Sequence, residues 1–385
     1  MLSSFWNQVS ALWKKDEANL IPLDQVSRFY QSDQYQSLDA EVKSAFFDGP
    51  LEGLDQRTID RKDLQFMQDT LNSWQQGRSI SCAMSGEKGT GLSTLFNQFG
   101  AKLKHQQVKH KVVRINKRLS SESDVIFAFG NTLNVLDMAT ELDKFIEQLL
   151  SMPPTVIMVD NTHFMVQRTL HAHEVIDALT AMILGTRGHH LWIVGCEEQA
   201  WRRLSYSYQF ENLFSHVHTV ANFTEAEIKS LLAARFAYCG AKTVNGVSLE
   251  QLAKDKSPLS SIVKKSKGCV ELALFYCLNQ LTHGLEPHSF QVNNPQDIEL
   301  GAFKKLTQHE LFTLAELAAH GQLSIKEHQK IFRTTASQSK RLLEHLRVIG
   351  LLDKTDDLHQ QDAYVLKLII SAVVVRYLIS MNYLY

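Results

Sequence analysis

The stretch Met84-Ser85-Gly86-Glu87-Lys88-Gly89-Thr90-Gly91-Leu92-Ser93-Thr94-Leu95 decides the fold. It follows the apolar segment Ile80–Met84, which reads as a strand, and it opens a helical pattern over about 93–105. A strand, a glycine-rich turn and a helix in that order are the setting of a phosphate-binding loop. Gly86, Gly89 and Gly91 let the backbone turn so that its N–H groups converge on an anion at a helix N-terminus. In the pattern G-x-x-x-x-G-K-[ST], Gly86 and Gly91 fill the glycine positions and Ser93 the magnesium-ligand position, with Thr94 behind it. Leu92 stands where the lysine belongs. A charge-assisted hydrogen bond to phosphate is worth about 1.5–3 kcal/mol, so its loss weakens nucleotide binding roughly tenfold to a hundredfold. Lys88 lies in the same loop, but its stem starts from the other side of it.

Outward from this loop the chain alternates. Lys111–Ile115, Thr155–Val159, Leu191–Gly195 and Val217–Phe223 read as four more buried strands, separated by helical stretches near 121–150, 169–186 and 199–213. Continuous apolar strands alternating with helices predict a parallel sheet covered on both faces. A helix over 61–76, closed by Gly77, precedes the first strand. The third strand ends Val156-Ile157-Met158-Val159-Asp160-Asn161. An acid at that strand end suits a water-mediated magnesium ligand, whereas Asn161, where a glutamate usually polarises the attacking water, cannot accept a proton.

Thr224 and Glu227 are spaced as a capping box and open a mostly helical region to about residue 285, followed by a Pro/Asn-rich connector over 286–296. Helical patterns over 307–320, 324–332 and 335–349, then Leu351-Leu352, a polar loop and Tyr364–Leu368, predict three helices with a β-hairpin wing. The third of these helices carries Lys340, Arg341 and Arg347, with Lys330 and Arg333 just before it. Residues 301–385 nevertheless hold 11 basic against 8 acidic residues, and the wing carries Asp353, Asp356, Asp357 and Asp362. DNA and protein are therefore both candidate ligands of this block.

The order of phosphate loop, acid-ended strand, helical lid and winged helix resembles that of the AAA+ P-loop ATPases, in particular the group of origin-recognition proteins and ExeA- and TniB-type ATPases. The resemblance covers about residues 55–385. It implies ATP or ADP with magnesium, held by Gly86, Glu87, Lys88, Gly89, Thr90, Gly91, Leu92, Ser93, Thr94 and Asp160, with Ser93 and Asp160 at the metal. Further positions depart from the pattern. The family's polar sensor after the fourth strand falls at Gly195-Cys196. Its arginine finger falls in Leu213-Phe214-Ser215-His216, with Arg202 and Arg203 too early in the chain. Its second sensor arginine falls near Gly268-Cys269-Val270-Glu271, where an acid stands. The expected function is that of a degenerate AAA+ protein, with weak or absent ATP binding and little hydrolysis. It would act as a scaffold or regulatory subunit with a protein partner, an active AAA+ relative or a second copy. The rivals are an active ATPase using Lys88 and a partner-supplied arginine, and a winged-helix DNA-binding regulator acting through Arg333, Lys340, Arg341 and Arg347.

Composition bounds these readings. The chain has 385 residues, enough for two or three domains at about 150 residues each. The expected division is 1–45 as an N-terminal helical extension, 46–223 as the α/β core, 224–300 as lid and connector, and 301–385 as the winged helix. Forty basic against 41 acidic side chains leave a net charge of -1, which excludes a polybasic coat protein. Five cysteines with no C-x-x-C pair fit a reducing cytoplasm. Leu2, Phe5, Trp6, Val9, Leu12 and Trp13 form an apolar stripe suited to a partner helix or, less well, to a membrane surface. The paired histidines His171/His173, His189/His190 and His216/His218 read as surface polar residues rather than metal ligands.

Overall fold

A computed structural model describes residues 20–135, 141–166, 172–254, 259–356 and 362–384. The helix α1 (Asp63–Gln75) leads into β1 (Ser81–Gly86), and Gly77 takes a positive φ of 84° directly after it. Then follow α2 (Leu92–His105), β2 (His110–Arg114), α3 (Glu122–Leu133), α4 (Leu142–Ser151), β3 (Val156–Asp160), α5 (Ala172–Gly185), β4 (Leu191–Glu197), α6 (Glu198–Tyr208) and β5 (His216–Val220). The five strands form one sheet in the order β2-β3-β4-β1-β5, every neighbour parallel. The alternation of side chains along each strand builds two cores. Ala83, Ile157, Val159, Trp192 and Val194 face α3, α5 and α6, while Cys82, Met84, Val156, Met158 and Ile193 face α1 and α2.

Two expectations about these elements change. The fifth strand is an edge strand rather than a buried one: His216, Val217 and Thr219 are exposed, and it ends at Val220. The single helical stretch over 121–150 is two helices, because Asn134 takes a left-handed cap at the end of α3.

The lid begins with α7 (Glu225–Tyr238), whose capping box pairs Thr224 with Glu227 as its spacing predicts. It continues through β6 (Thr243–Val244), β7 (Val247–Ser248), α8 (Leu249–Lys254), α9 (Ser260–Ser266), α10 (Val270–Asn279), β8 (Leu281–His283) and β9 (Ser289–Val292). The connector read over 286–296 therefore contains a strand. β9 joins a four-stranded sheet in the order β7-β6-β9-β8, made of segments too short for periodicity to reveal.

The C-terminal block is α11 (Gln308–His320), β10 (Leu323–Ser324), α12 (Ile325–Phe332), α13 (Ala336–Val348), β11 (Leu352–Asp356), β12 (Asp362–Leu366) and α14 (Leu368–Ser380). Its strands pair antiparallel in the order β10-β12-β11, which makes a winged helix. Lid and winged helix share a third core that contains Phe236, Phe275, Leu343 and Ile370. Residues 20–46 belong to it as well, instead of standing apart as an extension. Leu20–Ile21 pair with Asp297–Ile298, Phe29 packs edge-on to Phe275 at 5.2 Å, and Phe46 packs edge-on to Phe236 at 5.0 Å. The aromatic residues of this segment exceed what so short a piece could bury within itself. The apolar stripe from Leu2 to Trp13 lies outside the described residues.

Candidate functional site: an acid-lined phosphate cleft

The loop between β1 and α2 lies beyond the carboxyl ends of the strands, where parallel sheets place ligands. Gly89 and Gly91 have φ of 89° and 75°, conformations that only glycine adopts without strain. Gly91 caps α2, so the first N–H groups of the helix face the loop. Gly86, Glu87, Lys88, Gly89, Thr90, Gly91, Leu92, Ser93, Thr94, Asp160 and Asn161 all line one cleft of about 310 Å3.

Five residues of the loop and the helix start, Glu87, Lys88, Gly89, Thr90 and Thr94, are tied to other parts of the chain. Asn222 donates to Glu87 at 2.8 Å, and Lys88 Nζ lies 3.8 Å from Glu197 Oε1 at the end of β4. The Val270 N–H of the lid donates to the Gly89 carbonyl at 3.2 Å. Arg61 donates to the Thr90 carbonyl at 2.7 Å and to the Ala221 carbonyl at 2.6 Å, with its guanidinium 4.1 Å from the Phe223 ring centre. The Thr94 hydroxyl accepts from the Leu51 N–H at 3.3 Å, which holds the stretch Asp48-Gly49-Pro50 against the cleft.

The side chains around this cradle are predominantly acidic. Asp48, Glu87, Asp160, Glu197 and Glu271 line the cleft, against Lys88 and Arg235. Arg235 is engaged by the carbonyls of Ala45 at 2.8 Å and Phe47 at 2.9 Å. Burial pushes the Glu271 carboxyl up to about 7, with Lys88 pulling it down and Asp48 and Glu197 pushing it further up. Burial also raises Glu197, but His163 and Lys88 outweigh it and hold that carboxyl below its usual range. His163 lies 3.8 Å from Glu197, and burial lowers its pKa. Asp160 is 1% exposed; its Oδ1 accepts from the Asn161 N–H at 2.9 Å, and Arg114 Nε stands 3.5 Å from its Oδ2. Among the described residues no three His, Cys, Asp or Glu side chains cluster as a metal site. The N–H groups at the start of α2 thus face a cleft whose side chains carry more acids than bases.

The positions carried over from the resemblance resolve as follows. At the end of β4 the polar residue is Glu197, one step beyond Gly195-Cys196, and the Gly195 carbonyl accepts from the Thr162 hydroxyl at 2.8 Å. Arg202 pairs with Glu198 on its own helix. Arg203 reaches the winged helix, 3.2 Å from Glu316 and 3.0 Å from His320 Nε2. Glu271 does reach the cleft.

Sequence reading missed Arg61, Arg114, Arg118 and His163 because nothing local distinguishes them. Arg118, 6% exposed, joins the core to the winged helix: it donates to the carbonyls of Val166 at 2.6 Å, of His320 at 2.7 Å and of Gln322, and pairs with Glu327 at 3.2 Å. Gly321 packs so tightly on His163 that a Cβ there would lie 2.6 Å from the ring.

In the winged helix Lys330, Arg333, Lys340, Arg341 and Arg347 are all exposed. They do not form one surface: Arg341 faces a cleft with His309 and His345, whereas Arg347 turns to the base of the wing. The histidines also divide. His190 is buried rather than on the surface, where it accepts from the Thr155 N–H at 3.2 Å and faces the Leu149 carbonyl at 2.8 Å. His218 pairs with Asp63 at 2.8 Å and stacks on Phe66. His171 lies outside the described residues.

Strand order, phosphate loop, lid and winged helix together define a parallel P-loop α/β fold with a helical lid and an appended winged helix. No family model matches the chain, and no curated protein matches it. Among solved structures it is similar to the ORC2 protein of Aeropyrum pernix with ADPNP and ADP, at 13% identity over 88% of this chain and 98% of that one, TM-score 0.46. It is similar to Cdc6p of Pyrobaculum aerophilum at 15% identity, over 90% of this chain and 99% of that one, TM-score 0.45. It is also similar to the Aeropyrum pernix ORC1 protein in complex with DNA, at 9% identity, over 90% of this chain and all (100%) of that one, TM-score 0.47. Similarity this low transfers no property of those proteins to this chain. Among the described residues no helix is long and apolar enough to cross a membrane.

Proposed function

We propose that this chain is a degenerate AAA+ protein that has given up nucleotide turnover and works as a cytoplasmic scaffold or regulatory subunit. It binds ATP or ADP with magnesium weakly or not at all, and its partner is a protein, either an active AAA+ relative or a second copy. The supporting observation is the cleft's charge: five carboxylates line it, and Leu92 replaces the lysine that would oppose them. Asn161 leaves the attacking-water position without a base. The active-ATPase reading needs Lys88 to turn to phosphate, but Lys88 already faces Glu197, and turning it away would leave that acid with His163 as its remaining neighbour of opposite sign.

The test is titration of the purified chain with a fluorescent ATP analogue, with and without magnesium, followed by a phosphate-release assay. Weak or absent binding without release is expected. Restoring the lysine with Leu92→Lys is expected to tighten binding roughly tenfold to a hundredfold while release stays absent. Micromolar, magnesium-dependent binding with phosphate release by the unmodified chain would overturn the proposal.

A second reading, a DNA-binding regulator, is favoured by the exposure of Arg333, Lys340, Arg341 and Arg347. The ion pairs Lys354–Asp362 at 2.9 Å and Lys367–Asp353 at 3.2 Å also neutralise two of the wing's acids.

A further inference from the structure

A second polar cleft, of about 300 Å3, opens where residues 20–46 meet the base of the wing. Its polarity is the reverse of the first. Arg28, Arg347, Lys354 and Lys367 line it, and Asp353 is the one acid among its lining residues. We infer that this cleft binds phosphate groups carried on an extended polyanion, so that phosphate recognition on this chain resides here and not in the P-loop cleft. The inference stands apart from the scaffold reading, because it uses no residue of the P-loop cleft.

Two stretches distant in sequence bring the cations together: Ser27 to Gln31, and the winged-helix run from the end of α13 through β11 to Lys367, the N-cap of α14. The join is tight at one point. Gly350, with φ of 87°, sits so close to Ser27 that a Cβ would lie 2.4 Å from its hydroxyl oxygen. Arg28 is thereby held beside the wing. Among the described residues its side chain makes no ion pair, and it is exposed. The other three cations hold carboxylates: Arg347 with Glu344 at 2.7 Å, Lys354 with Asp362 at 2.9 Å, and Lys367 with Asp353 at 3.2 Å. These pairs lie at the surface, where such contacts are worth little. A phosphate oxygen can therefore take over a cation at small cost. Each phosphate so neutralised releases counterions, which makes binding steeply dependent on salt. The acid-lined P-loop cleft offers no comparable set.

Two probes separate the sources of phosphate: a short labelled DNA duplex and labelled inorganic tripolyphosphate, each titrated against the full chain by fluorescence anisotropy over a range of salt. Binding of either probe is expected. Arg28→Ala is expected to weaken it about threefold to tenfold and to reduce the log–log salt slope by about one. Because Arg28 is exposed and makes no ion pair among the described residues, that variant should keep the wild-type circular dichroism and unfolding midpoint. The Lys340→Ala/Arg341→Ala pair, outside the cleft, should weaken the duplex alone. Loss of both probes with Arg28→Ala means a general phosphate site, and loss of the duplex alone means a nucleic-acid site. The inference is overturned if neither probe binds, or if Arg28→Ala and Arg28→Glu both leave affinity and salt slope unchanged.

Discussion

Glu271→Gln tests the charge of the P-loop cleft through stability rather than through a ligand. Glu271 stands in the first turn of α10 and lines the cleft with four other carboxylates. Its pKa rises from 4.5 to about 7, with burial as the leading cause. Between those two values the folded chain holds a proton that the unfolded chain has released. Stability therefore falls as pH rises through this window and stays lowered above it. At about 1.4 kcal/mol per pKa unit, the full effect is about 3 kcal/mol. Solvent at the mouth of the cleft screens part of it, so this is an upper bound. Glutamine keeps the shape and removes the titration. Urea denaturation across the pH range is expected to show variant and wild type coinciding below pH 4.5 and diverging upward, with the variant more stable at pH 7 and beyond. Parallel profiles for the two proteins would refute the reasoning. With one carboxylate fewer beside the cradle, the variant should also bind an ATP analogue more tightly at neutral pH.

Two further substitutions test how the parts are held together. Arg118→Ala is expected to cost about 3–5 kcal/mol, since it takes the cation from Glu327 Oε1 and the donor from three carbonyls in a buried interface, and to free the winged helix from the core. Limited proteolysis reads this directly, and a digestion pattern identical to wild type would count against the role assigned to Arg118. Gly89→Ala combines positive-φ strain of about 1–3 kcal/mol with a Cβ only 2.5 Å from Cys269 Sγ, whereas Gly77→Ala has a similar φ in open space. Thermal denaturation should show the first variant the less stable, and equal losses would mean that the lid does not press on the loop.

Much of the fold was legible because its signals are local. The Gly86–Thr94 turn and the apolar strand segments announced a parallel sheet. Capping boxes at Thr224 and Ser324 marked where helices begin, and both form as spaced. The small lid sheet was not legible, since strands of two to four residues carry no periodicity. The edge position of β5 was hidden for another reason: burial depends on which strand lies beside it, and that is settled by strand order rather than by composition. The placement of residues 20–46 was missed because Phe29 and Phe46 find partners far along the chain, in Phe275 and Phe236.

For the candidate site the division is similar. The sequence by itself determined the glycine turn, Leu92 directly after Gly91, and the asparagine after Asp160, because these sit within one turn or one strand end, where spacing dictates geometry. Only the tertiary structure decided the charge around the cradle. Asp48, Glu197 and Glu271 come from three separate elements, and Lys88 faces Glu197 only because β4 lies beside β1 in the sheet. The basic cleft at the wing arises in the same way, from cations of separate segments that meet because apolar surface elsewhere on those segments is buried in a common core. Electrostatic sign at a site is a sum over spatial neighbours, and a linear sequence fixes those neighbours only through the packing that brings them together.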